Sequence, residues 1–206
     1  MSKKFLLAVM LVVLLAMPAF AAEKEAKNAL LLSPLEAYDL LMREPDSTFL
    51  LDVRSREEYS HLGHPQNAYN IPWRFSSQDL QISSIQGGPP VAVYQLSSQP
   101  NPDFVGVVRS LFKESDNLII ICDDGLQSAQ ASDALWQAGF KNVAQVKGGI
   151  WGEKLTSRET PRLAERYSSN YGKGGMLGGW VFWGLPISYQ LDPRFLYPPD
   201  VKRVGE

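Results

Sequence analysis

Leu118-Ile119-Ile120-Ile121 has no polar face. A strand presents alternate side chains to opposite sides, so a run that is apolar at every position has to be covered on both faces. That requirement selects a central parallel strand in an open α/β sheet over a half-exposed antiparallel one. Cys122, the single cysteine of the chain, follows directly, and Asp123-Asp124-Gly125-Leu126-Gln127-Ser128 then leads into a helical pattern. This is the layout of a thiol at the carboxyl end of a buried strand, in a tight loop before a helix. In open α/β sheets that end is where ligands bind. A lone cysteine makes no intrachain disulfide. It is either a small packed residue or a reactive one.

The same alternation runs along the chain. Leu30 to Leu32 is a short apolar run. Ser33-Pro34-Leu35-Glu36 is a helix start, with serine as N-cap, proline at the first helical position and glutamate at the third. The helix from Leu35 to Arg43 is expected to place Leu35, Tyr38, Leu41 and Met42 on one face. Phe49 to Val53 reads as a buried strand, Arg54 to Tyr59 as a short charged helical turn, and Ala68 to Ile71 as a second short strand. Residues 76–102, polar and rich in Gly, Pro and Ser, read as an insertion or long loop with a candidate strand at Val91 to Tyr94. Phe104 to Phe112 has helical spacing. Ser128 to Gln137 reads as a helix closed by Gly139, and Val143 to Val146 as a further strand before Gly148-Gly149. Strands alternating with helices imply an α/β fold: an open parallel sheet with helices on both faces.

The N-terminus reads as a secretory signal. Lys3 and Lys4 form a basic region, Phe5 to Ala16 an apolar one, and Ala19-Phe20-Ala21 a small-x-small cleavage site. Residues 1–21 are therefore expected to be removed, residues 22–29 to form a charged, flexible start, and the mature protein to be periplasmic or extracellular. The apolar run is well short of the roughly 20 residues that span a bilayer, which argues against membrane association. Losing Lys3 and Lys4 takes the formal charge from −2 to −4. A mildly acidic chain argues against nucleic acid as a partner. An unpaired thiol in an oxidising compartment has to be buried or used. Two histidines and one cysteine without ligand spacing support no metal site. The glycine pairs at 148–149, 174–175 and 178–179 lack the lysine of a phosphate loop. No cofactor is implied.

Five segments together resemble the rhodanese family. They are Leu51-Asp52-Val53-Arg54 with Glu57-Glu58-Tyr59, then Gly63-His64 with Ala68-Tyr69-Asn70-Ile71-Pro72. The loop Cys122 to Ser128 follows, then Gly139-Phe140-Lys141-Asn142-Val143, and last Gly148-Gly149-Ile150-Trp151. The resemblance covers residues 30–155. It implies a small α/β domain whose cysteine thiolate takes sulfane sulfur from a small donor, becomes a persulfide and passes the sulfur to a thiol or other nucleophilic acceptor. Such a reaction needs a thiolate. Loop amides at a helix N-terminus suit one, with Gly125 permitting the turn and Ser128 offering a hydroxyl donor or a cap. Asp52, Arg54, Glu58 and His64 are expected as structural support, His61 as exposed.

The loop departs from the pattern in charge. Active members of the family carry a basic residue, most often arginine, where this chain has Gln127, and Asp123 and Asp124 add two carboxylates. A unit charge about 6 Å away is worth about 0.7 kcal/mol at a dielectric of 80 and roughly 3 kcal/mol near 20, so efficient thiosulfate turnover is not expected. The family also resembles dual-specificity phosphatases. Those need a longer loop ending in arginine, and no arginine follows Cys122 before Arg158.

Residues 156–206 read as a C-terminal extension. Its stretch 174–191 has no charged residue and carries Trp180, Phe182, Trp183 and Tyr189. It is a tail packed on the domain, a docking patch for a protein partner, or a membrane-inserting segment. The competing functional reading for the whole chain is a non-catalytic binding or scaffold module on the same fold.

Overall fold

The computed structural model describes residues 24–84, 90–97, 99–154 and 176–196. Residues 1–23, which hold the expected signal, and most of 156–206 lie outside that set. Five parallel strands form the central sheet: β1 (Leu30–Leu32), β2 (Thr48–Asp52), β4 (Tyr69–Asn70), β7 (Asn117–Ile121) and β8 (Val143–Val146), in the spatial order β1-β8-β7-β2-β4. The all-apolar run is thus the central strand, and Leu118 to Ile121 are fully buried.

The pleat divides these residues between two cores. Leu118, Ile120 and Cys122 face one side, with Leu51, Val53 and the helices α3 (Phe104–Leu111) and α4 (Leu126–Gln137) through Phe104, Val108, Ala131 and Leu135. Ile119 and Ile121 face the other, with Leu50 and the helices α1 (Pro34–Arg43) and α2 (Arg56–His61) through Ala37 and Tyr59. Each fully buried Leu or Ile contributes about 1.5–3 kcal/mol. The two-sided cover is what the β7 sequence demands.

Local signals set the ends of the helices. Ser33 and Glu36 form a reciprocal capping box at α1, and Ser55 and Glu58 another at α2. Glu58, expected as structural support, thus caps the α2 N-terminus. α4 starts at Leu126, two residues before the expected Ser128, because Gly125 takes the cap position in the left-handed region, at φ 102°. In α1 the buried face is centred on Ala37, with Tyr38, Leu40 and Leu41 packed against the core. Leu35 and Met42 are 46% and 59% exposed, so the expected face was rotated: the sheet takes the small side chain where α1 approaches it closely.

Residues 76–102 are not a plain loop. β5 (Ser76–Ser84) and β6 (Pro90–Leu96) pair as an antiparallel hairpin with a register shift between Ser76 and Leu80. The alternation there is diluted by Ser and Gln, which hid β5 from a periodicity reading. The start read as flexible also differs. Residues 24–28 are tied to the domain: Gln145 Oε1 accepts from the Ala26 N–H, and Asp133 Oδ1 from the N–H groups of Lys27 and Asn28.

The described part of the C-terminal extension packs back on the domain. β10 (Met176–Gly178) pairs with β9 (Gly152–Lys154), and β11 (Ile187–Ser188) with β3 (His64–Pro65). Trp180 is 1% exposed and meets Tyr38 edge-on, while Phe182 and Trp183 stay 38% and 48% exposed. Among the described residues no helix is long and apolar enough to cross a membrane.

Candidate active site

Cys122 lies just past the carboxyl end of β7 and is fully buried. Its carbonyl accepts from the Ile150 N–H at 2.8 Å, and the Asp123 carbonyl from the Trp151 N–H at 3.0 Å. Gly149, at φ 59°, makes this possible: a Cβ there would overlap the Cys122 carbonyl oxygen and lie 2.8 Å from the Asp123 carbonyl carbon. The glycine pair that resembled a closing motif is therefore the floor under the cysteine.

Two backbone amides converge on the sulfur. The Gly125 N–H donates to Sγ at 3.2 Å and the Ser128 N–H at 3.3 Å. The thiol donates to Ser128 Oγ at 3.4 Å, and that hydroxyl donates to the Gly125 carbonyl at 3.0 Å. A cysteine present only as packing needs none of these donors. Burial nonetheless dominates. It pushes the Cys122 thiol up to about 12, with the Asp123 carboxylate adding to the rise and the two amides and Ser128 opposing it.

The two aspartates differ. Asp123 is raised by burial, then by the charges of Asp124 and Glu58. Burial also works to raise Asp124, but the Lys24 ammonium and the Leu126 N–H outweigh it, and the carboxyl stays below its ordinary value. Lys24 Nζ sits 2.6 Å from Asp124 Oδ2, and the Leu126 N–H donates to Oδ1 at 3.1 Å. The sulfur and one carboxylate oxygen of each aspartate lie within 4.8 Å of one another. These are the atoms that could approach a cation, but protein donors already engage both Asp124 oxygens and Sγ.

Gln127 is buried and its Oε1 has no hydrogen-bond partner among the described residues. The expected support residues form a separate node beside the loop. Arg54 and Asp52 pair in two places, Nε to Oδ1 at 3.0 Å and Nη2 to Oδ2 at 2.7 Å, both side chains fully buried. Arg54 Nη2 also donates to the Gly63 carbonyl. His64 stacks on Tyr59 at 3.7 Å and its Nδ1–H donates to the Tyr59 carbonyl. His61 is exposed.

Two residues of the site were missed. Gln145, on β8, donates through Nε2 to the Gly125 carbonyl at 2.8 Å and to Ser128 Oγ at 3.3 Å. Its signal was a lone amide in Val143-Ala144-Gln145-Val146, a strand buried throughout. Lys24 gave no signal, because nothing in residues 22–29 shows where they dock. A cleft of about 430 Å³ lies elsewhere, between α1, the start of β2 and Phe195, and holds none of the loop residues.

A family profile described as the rhodanese-like domain matches residues 33–152. The chain belongs to the rhodanese-like family. It is 34% identical over 113 residues to thiosulfate sulfurtransferase 16, chloroplastic, of Arabidopsis thaliana, covering 55% of this chain and 77% of that protein. It is 33% identical over 99 residues to senescence-associated protein DIN1 of Raphanus sativus, covering 48% of this chain and 44% of that one. The chain thus spans about half the length of several curated relatives it matches. The crystal structure of M. tuberculosis Rv0390 superposes with a TM-score of 0.54 at 20% identity, over 80% of this chain and all of that one. That likeness supports the fold.

Proposed function

We propose that this protein is an exported sulfurtransferase or sulfur carrier that moves sulfane sulfur through a persulfide on Cys122. The observation that carries the reading is the pair of amides, Gly125 and Ser128, aimed at a sulfur at the end of the central strand. They stabilise negative charge on the sulfur they already contact. Kinship with a thiosulfate sulfurtransferase supports the reaction class.

In the first half-reaction the Cys122 thiolate attacks the outer sulfur of a polysulfide or persulfide donor. The donor's S–S bond breaks, its electron pair leaves on a thiolate one sulfur shorter, and Cys122 becomes a persulfide. In the second, an acceptor thiolate attacks the outer sulfur, the Cys122–S bond breaks and the Cys122 thiolate is restored. No external oxidant is needed. This reading assigns the thiol's proton to the Asp123 carboxylate, one oxygen of which lies within 4.8 Å of the sulfur. The acidic loop disfavours a doubly charged donor, so thiosulfate turnover is weak and an organic persulfide or polysulfide, with one charge on its sulfur chain, is preferred. The signal-like N-terminus supports export to the periplasm or extracellular space.

Intact mass spectrometry after incubation with polysulfide tests this. One added sulfur, about 32 Da, is expected on the wild type and absent from Cys122→Ala. No adduct, or one that persists in the variant, overturns the reading. A non-catalytic binding module is the second reading, and one observation favours it: the thiol is fully buried and raised to about 12. That reading predicts an unchanged partner pull-down for Cys122→Ser.

A further inference from the structure

The loop Cys122 to Ser128 holds two carboxylates and no cation, yet Asp124 is not left bare. Lys24 reaches it from about a hundred residues away in the sequence, with Nζ 2.6 Å from Oδ2. The same residue is held a second time, through its backbone. The Lys24 carbonyl accepts from Gln145 Nε2 at 2.6 Å, and that amide group also donates to the Gly125 carbonyl and Ser128 Oγ. Gln145 Oε1 accepts from the Ala26 N–H at 2.8 Å. Gln145 is 1% exposed, so all of its polar atoms are committed to these contacts. Asp133, on α4, fixes the segment further along through Lys27 and Asn28. Four residues ahead of the sheet, Lys24, Ala26, Lys27 and Asn28, are therefore bound to the loop, to β8 and to α4.

We propose that Lys24, from the N-terminal segment, is the charge-balancing and positioning residue of the Cys122 loop. It acts through other groups. Its ammonium offsets the carboxylate of Asp124, one oxygen of which lies within 4.8 Å of the sulfur. Its carbonyl holds Gln145 where that side chain fixes the Gly125 carbonyl and the Ser128 hydroxyl, the latter in contact with the thiol. The pair is half exposed, 50% at Lys24 and 29% at Asp124, so its effect is modest and salt-sensitive. The inference deepens the sulfur-transfer reading. It concerns the charge state of the thiol, and its test needs no sulfur donor.

The test is the rate of iodoacetamide alkylation of Cys122 against pH, at low salt and at about 1 M salt, for wild type, Lys24→Arg, Lys24→Met and Lys24→Glu. Alkylation reads thiolate. At low salt Lys24→Met is expected to react roughly two- to five-fold more slowly at every pH below the thiol's midpoint. Lys24→Glu is expected to be slower still and Lys24→Arg to match the wild type, with all four converging at high salt. A purely structural tether predicts no ordering by charge and no convergence with salt. Met and Glu variants that react at the wild-type rate, or faster, overturn the proposal; the faster result would make the segment a cover over a buried thiol. If Cys122 takes up no sulfur yet the rates follow charge, Lys24 keeps its role and the sulfur-transfer reading fails alone.

Discussion

Two buried polar sites stand side by side at the carboxyl ends of neighbouring strands. At the end of β2, Asp52 closes on Arg54 in a two-point ion pair with both side chains fully buried. Asn70 Nδ2 donates to the carbonyls of both, at 3.2 and 3.0 Å. At the end of β7 the stretch Cys122 to Ser128 contains no cation; among the described residues half-exposed Lys24 pairs with Asp124, while Asp123 meets the charge of Arg54 only through space. The registers are adjacent: Asp52 pairs with Ile121, the residue before Cys122. The first site carries its own counter-charge and is fixed. The second borrows one and is adjustable. The proposed passage between thiol, thiolate and persulfide would use the second kind of environment, with a rigid neighbour to hold its backbone.

The comparison is broken most severely by opening the closed pair. Arg54→Ala leaves a buried carboxylate without its partner and is expected to cost about 3–5 kcal/mol, read from urea unfolding. A cost under about 1 kcal/mol would mean the node is not the fixed element. Gly149→Ala comes next. Its Cβ would strike the Cys122 carbonyl at a left-handed φ, so a loss of about 1–3 kcal/mol is expected, with altered alkylation of Cys122. Unchanged stability and reactivity would show that the floor under the loop gives way freely. Ser128→Ala removes a hydroxyl bonded to the thiol, to Gly125 and to Gln145. About 1 kcal/mol of stability is expected to go, together with a slower sulfur uptake.

The smallest effect is a pH slope. Burial holds His64 below the ordinary imidazole value. The unfolded chain takes up a proton near pH 6.5, where folded His64 is still neutral. Stability from this group is complete above that pH and falls as the pH drops toward the folded value, by at most about 1.4 kcal/mol per unit. Urea midpoints at pH 7.5 and about 5 check it, with His64→Gln expected to flatten the slope.

What the sequence made legible followed from periodicity and strong local signals. The Leu118 to Ile121 run had to be central, Ser33 with Glu36 had to start a helix, and Cys122 with Gly125 had to turn. Other features depended on distance. Lys24 meets Asp124 across 100 residues, and no window of sequence contains both. Gln145 was visible only as a polar residue in an apolar strand, and its four side-chain contacts lie on the Cys122 loop and on the N-terminal segment. The α1 face was misplaced because hydrophobicity favours Leu35 and Met42, whereas close approach to the sheet favours Ala37. The sequence shows two adjacent carboxylates in the loop and nothing that tells them apart. The fold makes them unequal by neutralising Asp124 and burying Asp123.

The central claim is that Cys122 carries sulfur from one molecule to another. The most direct measurement is a single turnover. The protein is loaded with polysulfide, freed of excess donor and mixed with a thiol acceptor, and both partners are followed by mass spectrometry. The account predicts that the added sulfur leaves Cys122 as a matching persulfide appears on the acceptor, one for one. An adduct that stays on Cys122, or sulfur that never loads, would contradict it.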